Sequence, residues 1–179
     1  ELNLALNGAY NSMRLTTDYK VPLMMAMDNG STDLGVSRGV CSALMNQGQG
    51  TQAPTDGAFL TIYSNFYTGI ARTNALLENM VRAKDVVPET KYNQIEAQAL
   101  FIRAFHYMYL TELWGDVPFL DKVIKTPEEG MIPREEKKVI VDRILADLEK
   151  AAEVLPYKWE GEPERITKGC LLYTSPSPR

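Results

Sequence analysis

The sequence predicts an all-α protein: tetratricopeptide-like helical hairpins with a long irregular loop after the first helix. Apolar residues recur at three- and four-residue intervals in four separate stretches. Nowhere does strand-like alternation or a βαβ rhythm appear. One segment, Thr16 to Asp56, is instead rich in Gly, Asn, Gln, Ser and Thr. Helices of about twenty residues joined by short linkers suit hairpins stacked as an array, although no strict repeat consensus is legible.

The first helix runs from the N-terminus to about Arg14 on Leu2, Leu4, Leu6, Ala9, Tyr10 and Met13. Its pattern is already under way at Glu1, so the natural start is expected upstream. Thr16 to Asp56 follows as a surface excursion, with Tyr19 its sole aromatic. The second helix, Gly57 to Ala83, spaces Phe59, Ile62, Tyr63, Phe66, Tyr67, Ile70, Leu77 and Val81 as a stripe for packing. Pro88 breaks the chain before the third, Glu89 to Trp114, whose face is Ile95, Ala99, Ile102, His106, Leu110 and Leu113; Gly115 stops it. The fourth is expected from Pro133 to Leu155, with Val141, Ile144, Leu145, Leu148, Ala152 and Leu155 inward and Glu149, Lys150 and Glu153 as a solvated face. A fifth begins at Arg165 to Gly169. There the text changes: Cys170-Leu-Leu-Tyr-Thr-Ser-Pro-Ser-Pro-Arg179 resembles the translation of a transposon-type sequencing adaptor, and helical character is expected to end. The domain reading is therefore 1–169 as a helical region truncated at both ends, and 170–179 as foreign sequence.

Composition narrows the chemistry. With 23 acidic against 19 basic residues and a net charge of -4, the chain offers no general basic surface to nucleic acid. One of the two cysteines lies in the adaptor-like tail, so Cys41 remains as the single thiol and no intrachain disulfide forms. No nearby histidine or basic cluster activates it. The sole histidine, His106, falls mid-helix on an apolar face, where it reads as a core-edge residue satisfied by a neighbour rather than a catalytic base. Gly48-Gln-Gly-Thr51 lacks the lysine of a phosphate loop, Asp28 to Asp33 lacks calcium-loop spacing, and Asn29-Gly-Ser31 matches a glycosylation acceptor by pattern alone. Glu128-Glu129 and Glu135-Glu136 open turns or helices, where negative charge suits the dipole. No catalytic residue, metal site or cofactor is implied. Non-covalent capture is what remains, by Asp28, Asn29, Asp33, Arg38, Asn46, Gln47 and Gln49 on the excursion.

Several segments line up with one family. Tyr67-x-x-Ile70-x-Arg72-x-Asn74-x-Leu76-Leu77 resembles the second-helix signature of SusD/RagB proteins, the starch-utilisation-type lipoproteins of the Bacteroidetes outer membrane. Glu96-Ala-Gln-Ala-Leu-Phe-Ile-Arg-Ala-Phe-His-Tyr107, continuing through Leu113-Trp-Gly-Asp-Val-Pro118, resembles the family's most recognisable run. Ile144-x-x-Asp147-Leu-Glu-x-Ala151-x-x-x-Leu155-Pro156 and Arg165-x-Thr167-Lys-Gly169 follow in the family's order, and Ala5 to Asn11 is similar to its first helix.

The resemblance implies a non-enzymatic nutrient-binding lipoprotein on the outer membrane surface, lipidated upstream of Glu1. It also implies capture of oligosaccharide, or peptide, for a SusC-like TonB-dependent transporter. The polar residues Arg72, Asn74 and Arg103 read as bridges between adjacent helices, and Trp114 to Pro118 as a stop that aims the next loop. The excursion is poor in aromatics for stacking a sugar, so either the stacking residues are expected beyond the truncation or the ligand is not a stacked glycan; Asp28, Asn29, Asp33 and Arg38 are the expected polar ligand contacts by loop position. The rival reading is a helical-repeat scaffold that binds only protein.

Overall fold

The computed structural model describes residues 1–15, 23, 32, 46, 49–51, 53, 55 and 57–174. Among these the protein is all-α. The helices are α1 (Leu2–Ser12), α2 (Gly57–Met80), α3 (Glu89–Trp114), α4 (Lys137–Val154) and α5 (Lys168–Thr174), with single 3-10 turns at Val81–Ala83 and Glu128–Gly130. The chain divides into two compact units, Arg14–Thr68 and Glu1–Met13 with Gly69–Arg179.

In the first of these, Ile62 and Phe66 of α2 are buried, and the Tyr63 and Tyr67 rings lie 4.9 Å apart. Gly50, at φ +69°, takes a left-handed turn in which the Asn46 carbonyl accepts the Thr51 N–H at 2.7 Å.

The other unit is organised by α3. Ile95 through Ile102 are buried almost without a break, as are Ala104, His106, Tyr107, Leu110 and Thr111. A helix buried nearly all round is a central one. Pro88 stands at its N-cap and Gly115, at φ +71°, at its C-cap, where only glycine turns without strain. Three ion pairs set α4 antiparallel to it: Glu96 with Lys150 (2.7 Å), Arg103 with Asp147 (2.8 Å) and Glu112 with Lys137 (2.9 Å). Residue numbers rise along one helix as they fall along the other. Lys150 is therefore engaged across the seam rather than merely solvated.

Burial and helix bounds correct four sequence expectations. On α2 the buried line is Ile62, Phe66, Ile70, Thr73, Leu76 and Met80, an average step near the 3.6-residue turn; Val81 is exposed and Leu77 half-buried. On α4 the buried line is Ile140, Ile144, Leu148 and Ala151, with Leu155 beyond, while Val141, Leu145 and Ala152 flank it. That helix also begins at Lys137 rather than Pro133, because the Asp116 carboxylate accepts the Lys137 N–H at 2.9 Å and satisfies a donor the first turn leaves open. Glu135 precedes it in an isolated antiparallel bridge with Val117. Glu136 holds the N-cap position, and Glu128 and Glu129 lie in a turn, as their charge suggests. Lastly, α5 carries helical structure through Cys170 to Thr174, where the adaptor-like text is expected to end it, and Leu171 is buried.

Candidate functional site

The four residues expected to contact ligand, Asp28, Asn29, Asp33 and Arg38, lie outside the described residues, as do Tyr19, Cys41 and Gln47. The polar architecture on view begins with the motif residues.

Asn74, on the last turns of α2, donates from Nδ2 to the Leu120 carbonyl at 2.8 Å, and its Oδ1 lies 3.4 Å from Arg103 Nη1. Arg103 turns the rest of its guanidinium to Asp147 on α4: Nε and Nη2 donate to the two carboxylate oxygens at 2.8 and 2.9 Å. Both side chains are largely withdrawn from solvent, at 13% and 15% exposure. A planar fork meeting a carboxylate in two parallel bonds fixes register between helices better than a point charge could. Tyr107 completes the cluster. Its hydroxyl accepts the Leu120 N–H at 2.6 Å and donates to the Leu120 carbonyl at 3.1 Å, while its ring stacks on Phe119 and Arg143 covers the other aromatic at 4.7 Å. The loop after Gly115 is thus held by α2 and α3 together, which bears out its reading as an aimed segment.

His106 is a core residue with a partner the sequence did not reveal. It is 0% exposed, and its Nε2 lies 2.9 Å from Ser12 Oγ. The Ser12 hydroxyl donates to the Ala9 carbonyl at 2.5 Å, so the ring nitrogen carries the proton of the pair and donates to Ser12. Burial pulls the imidazole pKa down to about 4, so the ring is neutral at pH 7. A serine whose proton is given to a backbone carbonyl is not poised as a nucleophile. Gly69 faces the same ring so closely that any Cβ there would overlap the imidazole.

Tyr10 ties the N-terminal helix to the C-terminal segment. Its hydroxyl donates to Gln98 Oε1 at 2.6 Å and accepts the Ile166 N–H at 2.9 Å, and burial pushes its pKa up to about 12. Trp159 Nε1 then donates to the Ile166 carbonyl at 2.7 Å.

Away from this core, a cleft of about 1,030 Å³ opens between the start of α1, the end of α2 and the start of α3. Leu2, Leu76, Val87 and Ile95 give it an apolar lining, Asn3 and Asn79 supply amides, and Arg72, Arg82 and Lys91 supply positive charge. Glu1 is the one carboxylate among the lining residues. Arg72 was read as a helix bridge; it is exposed and lines this cleft instead. Two residues along an α-helix rotate the direction by about 200°, so Arg72 and Asn74 address opposite sides. No motif announces the cleft, because its walls come from three separate segments. Among the described residues no helix is long and apolar enough to cross a membrane, and no group of His, Cys, Asp and Glu is arranged to hold a metal.

Comparison with known proteins places this architecture. A SusD-like family model described as starch-binding and associating with the outer membrane matches residues 6–170. The chain is 29% identical to SusD-like protein P2 of Formosa agariphila over 159 residues, 87% of this chain and 31% of that protein. A laminarin-binding SusD-like protein superposes with a TM-score of 0.83 at 22% identity, covering 95% of this chain and 37% of the other. Surface glycan-binding protein A from Bacteroides fluxus superposes with a TM-score of 0.74 at 23% identity, covering 97% and 38%. The chain thus spans about a third of the length of these relatives, and it shares their tetratricopeptide-like helical fold.

Proposed function

The chain belongs to the SusD-like family, starch-binding proteins that associate with the outer membrane, and on that footing we propose that it captures glycan without transforming it. Oligosaccharide is the ligand class proposed, with delivery to a SusC-like TonB-dependent transporter from a lipid-anchored position on the cell surface. The observation that carries this is the family match across residues 6–170. It is supported by structural neighbours that are themselves a laminarin-binding protein and a surface glycan-binding protein.

Within this reading Asp28, Asn29, Asp33 and Arg38 contact the ligand, offering the carboxylates, amide and guanidinium that pair with sugar hydroxyls. Calorimetric titration of the purified protein with laminarin and starch oligosaccharides tests the idea. Saturable binding that weakens when these four residues are changed to Ala is expected; binding of a protein partner with no affinity for any glycan or peptide would favour the scaffold instead. Completing the reading frame provides a second test. The expected result is a signal peptide ending in a lipidated cysteine upstream, further coding sequence in place of Cys170 onward, and a transporter gene alongside.

A further inference from the structure

The cleft at the start of α1 is not among the residues assigned to ligand capture above, and its chemistry is distinctive. Arg103, Arg143 and Arg165 each reach a carboxylate, on Asp147, Glu135 and Glu162 respectively. Arg72 and Arg82 make no ion pair among the described residues, yet both line a concavity. They are ten residues apart along α2 and the turn that follows it, a rise of about 15 Å, with Asn79 between them. Lys91 stands on the wall supplied by α3 and Asn3 on the wall supplied by α1.

We propose that this cleft binds an anionic oligosaccharide, one whose sugar units carry carboxylate or sulfate groups. A small free anion would satisfy one cation and leave the others unpaired. A ligand that repeats its charge along an extended chain can meet Arg72, Lys91 and Arg82 in turn, with arginine forks suited to the planar oxygens of carboxylate and to sulfate. Between the charges, Asn3 and Asn79 offer hydrogen bonds to hydroxyls, and Leu2, Val86 and Val87 offer apolar surface to the C–H faces of sugar rings over a floor of buried Leu76 and Ile95. The concave form favours a threaded chain over a flat anionic membrane. The chain's net charge of -4 disfavours a polyanion that needs a broad basic face, such as nucleic acid. Glu1 at the rim, and Glu162, whose carboxyl is held low chiefly by its hydrogen bond to Arg165 and to a lesser degree by Lys91, weaken the field without reversing it.

The site is separate from the excursion residues, so the two readings fail independently. Purified protein would be run in affinity electrophoresis and calorimetry against polygalacturonate, a sulfated galactan, uncharged laminarin, and vesicles of phosphatidylglycerol in phosphatidylcholine. Binding of at least one anionic polysaccharide is expected, weakening about tenfold between about 50 and about 300 mM NaCl. The double variant Arg72→Gln/Arg82→Gln should lose at least tenfold in that affinity, with an unchanged melting temperature and unchanged laminarin binding. If the pair of changes lowers the melting temperature, Arg82→Gln and Lys91→Gln singly provide the same readout. The proposal is overturned if neither anionic polysaccharide binds at low salt, if binding ignores these substitutions, or if the vesicles bind in their place.

Discussion

Arg103 and Arg72 are members of the same helical unit and of adjacent recognisable motifs, yet they occupy opposite regimes. Arg103 sits in the α3–α4 seam, gripped in two parallel bonds by Asp147 and touching Asn74. Arg72 stands exposed in a cleft and makes no ion pair among the described residues. The first spends its charge on holding helices in register; the second keeps its charge available. Residue type alone therefore does not tell structure from function, whereas the partner does. In a mostly buried pair each ion depends on the other, and removing one leaves the survivor stranded in poor solvent.

This contrast can be broken by substitution. Asp147→Ala should cost about 3–5 kcal/mol in urea unfolding, because Arg103 would remain buried without its counter-ion; a loss below about 1 kcal/mol would show the seam to be solvated after all. His106 gives the next largest effect. Its pKa, about 4 in the folded protein, lies below the value of about 6.5 expected when unfolded, so the unfolded chain takes up the proton first as pH falls. Stability from this group is intact above about pH 6.5 and drains away toward pH 4, by about 3 kcal/mol in all. Comparing urea midpoints at neutral and acid pH, His106→Gln should flatten that part of the profile. Gly69→Ala, which pushes a methyl group into the imidazole, should cost about 1–3 kcal/mol, seen as a lower melting temperature. Smallest of all, Arg72→Ala should change stability by less than about 0.5 kcal/mol; a larger loss would move that arginine into the same class as Arg103.

Punctuation that acts over a few residues was legible in the sequence. Pro88 and Gly115 bound α3 where they were expected to, since a fixed φ and a positive φ are local demands. The start of α4 was not, because its first donor is satisfied by Asp116, 21 residues back along the chain. Nor did spacing reveal why Gly69 sits within a helix: the reason is a ring on α3. His106 was rightly read as a core-edge residue with a neighbour, but naming Ser12 required folding the chain across 94 positions. Arg72 and Asn74 were grouped by proximity in a motif, and helical rotation separates them. The cleft was illegible for the same kind of reason, as its walls meet only when α1, α2 and α3 assemble.

The Tyr107 hydroxyl has one more consequence. By taking the amide proton of Leu120 and returning its own to the same residue's carbonyl, it gives one loop residue the pair of bonds that a neighbouring β-strand would supply. A single phenol thus works as a strand one residue long, letting a helical protein pin a loop residue without building a sheet. Phenylalanine at this position would keep the stack on Phe119 and undo the pinning. The loop's aim is in that sense written into α3, about five turns from where that helix begins.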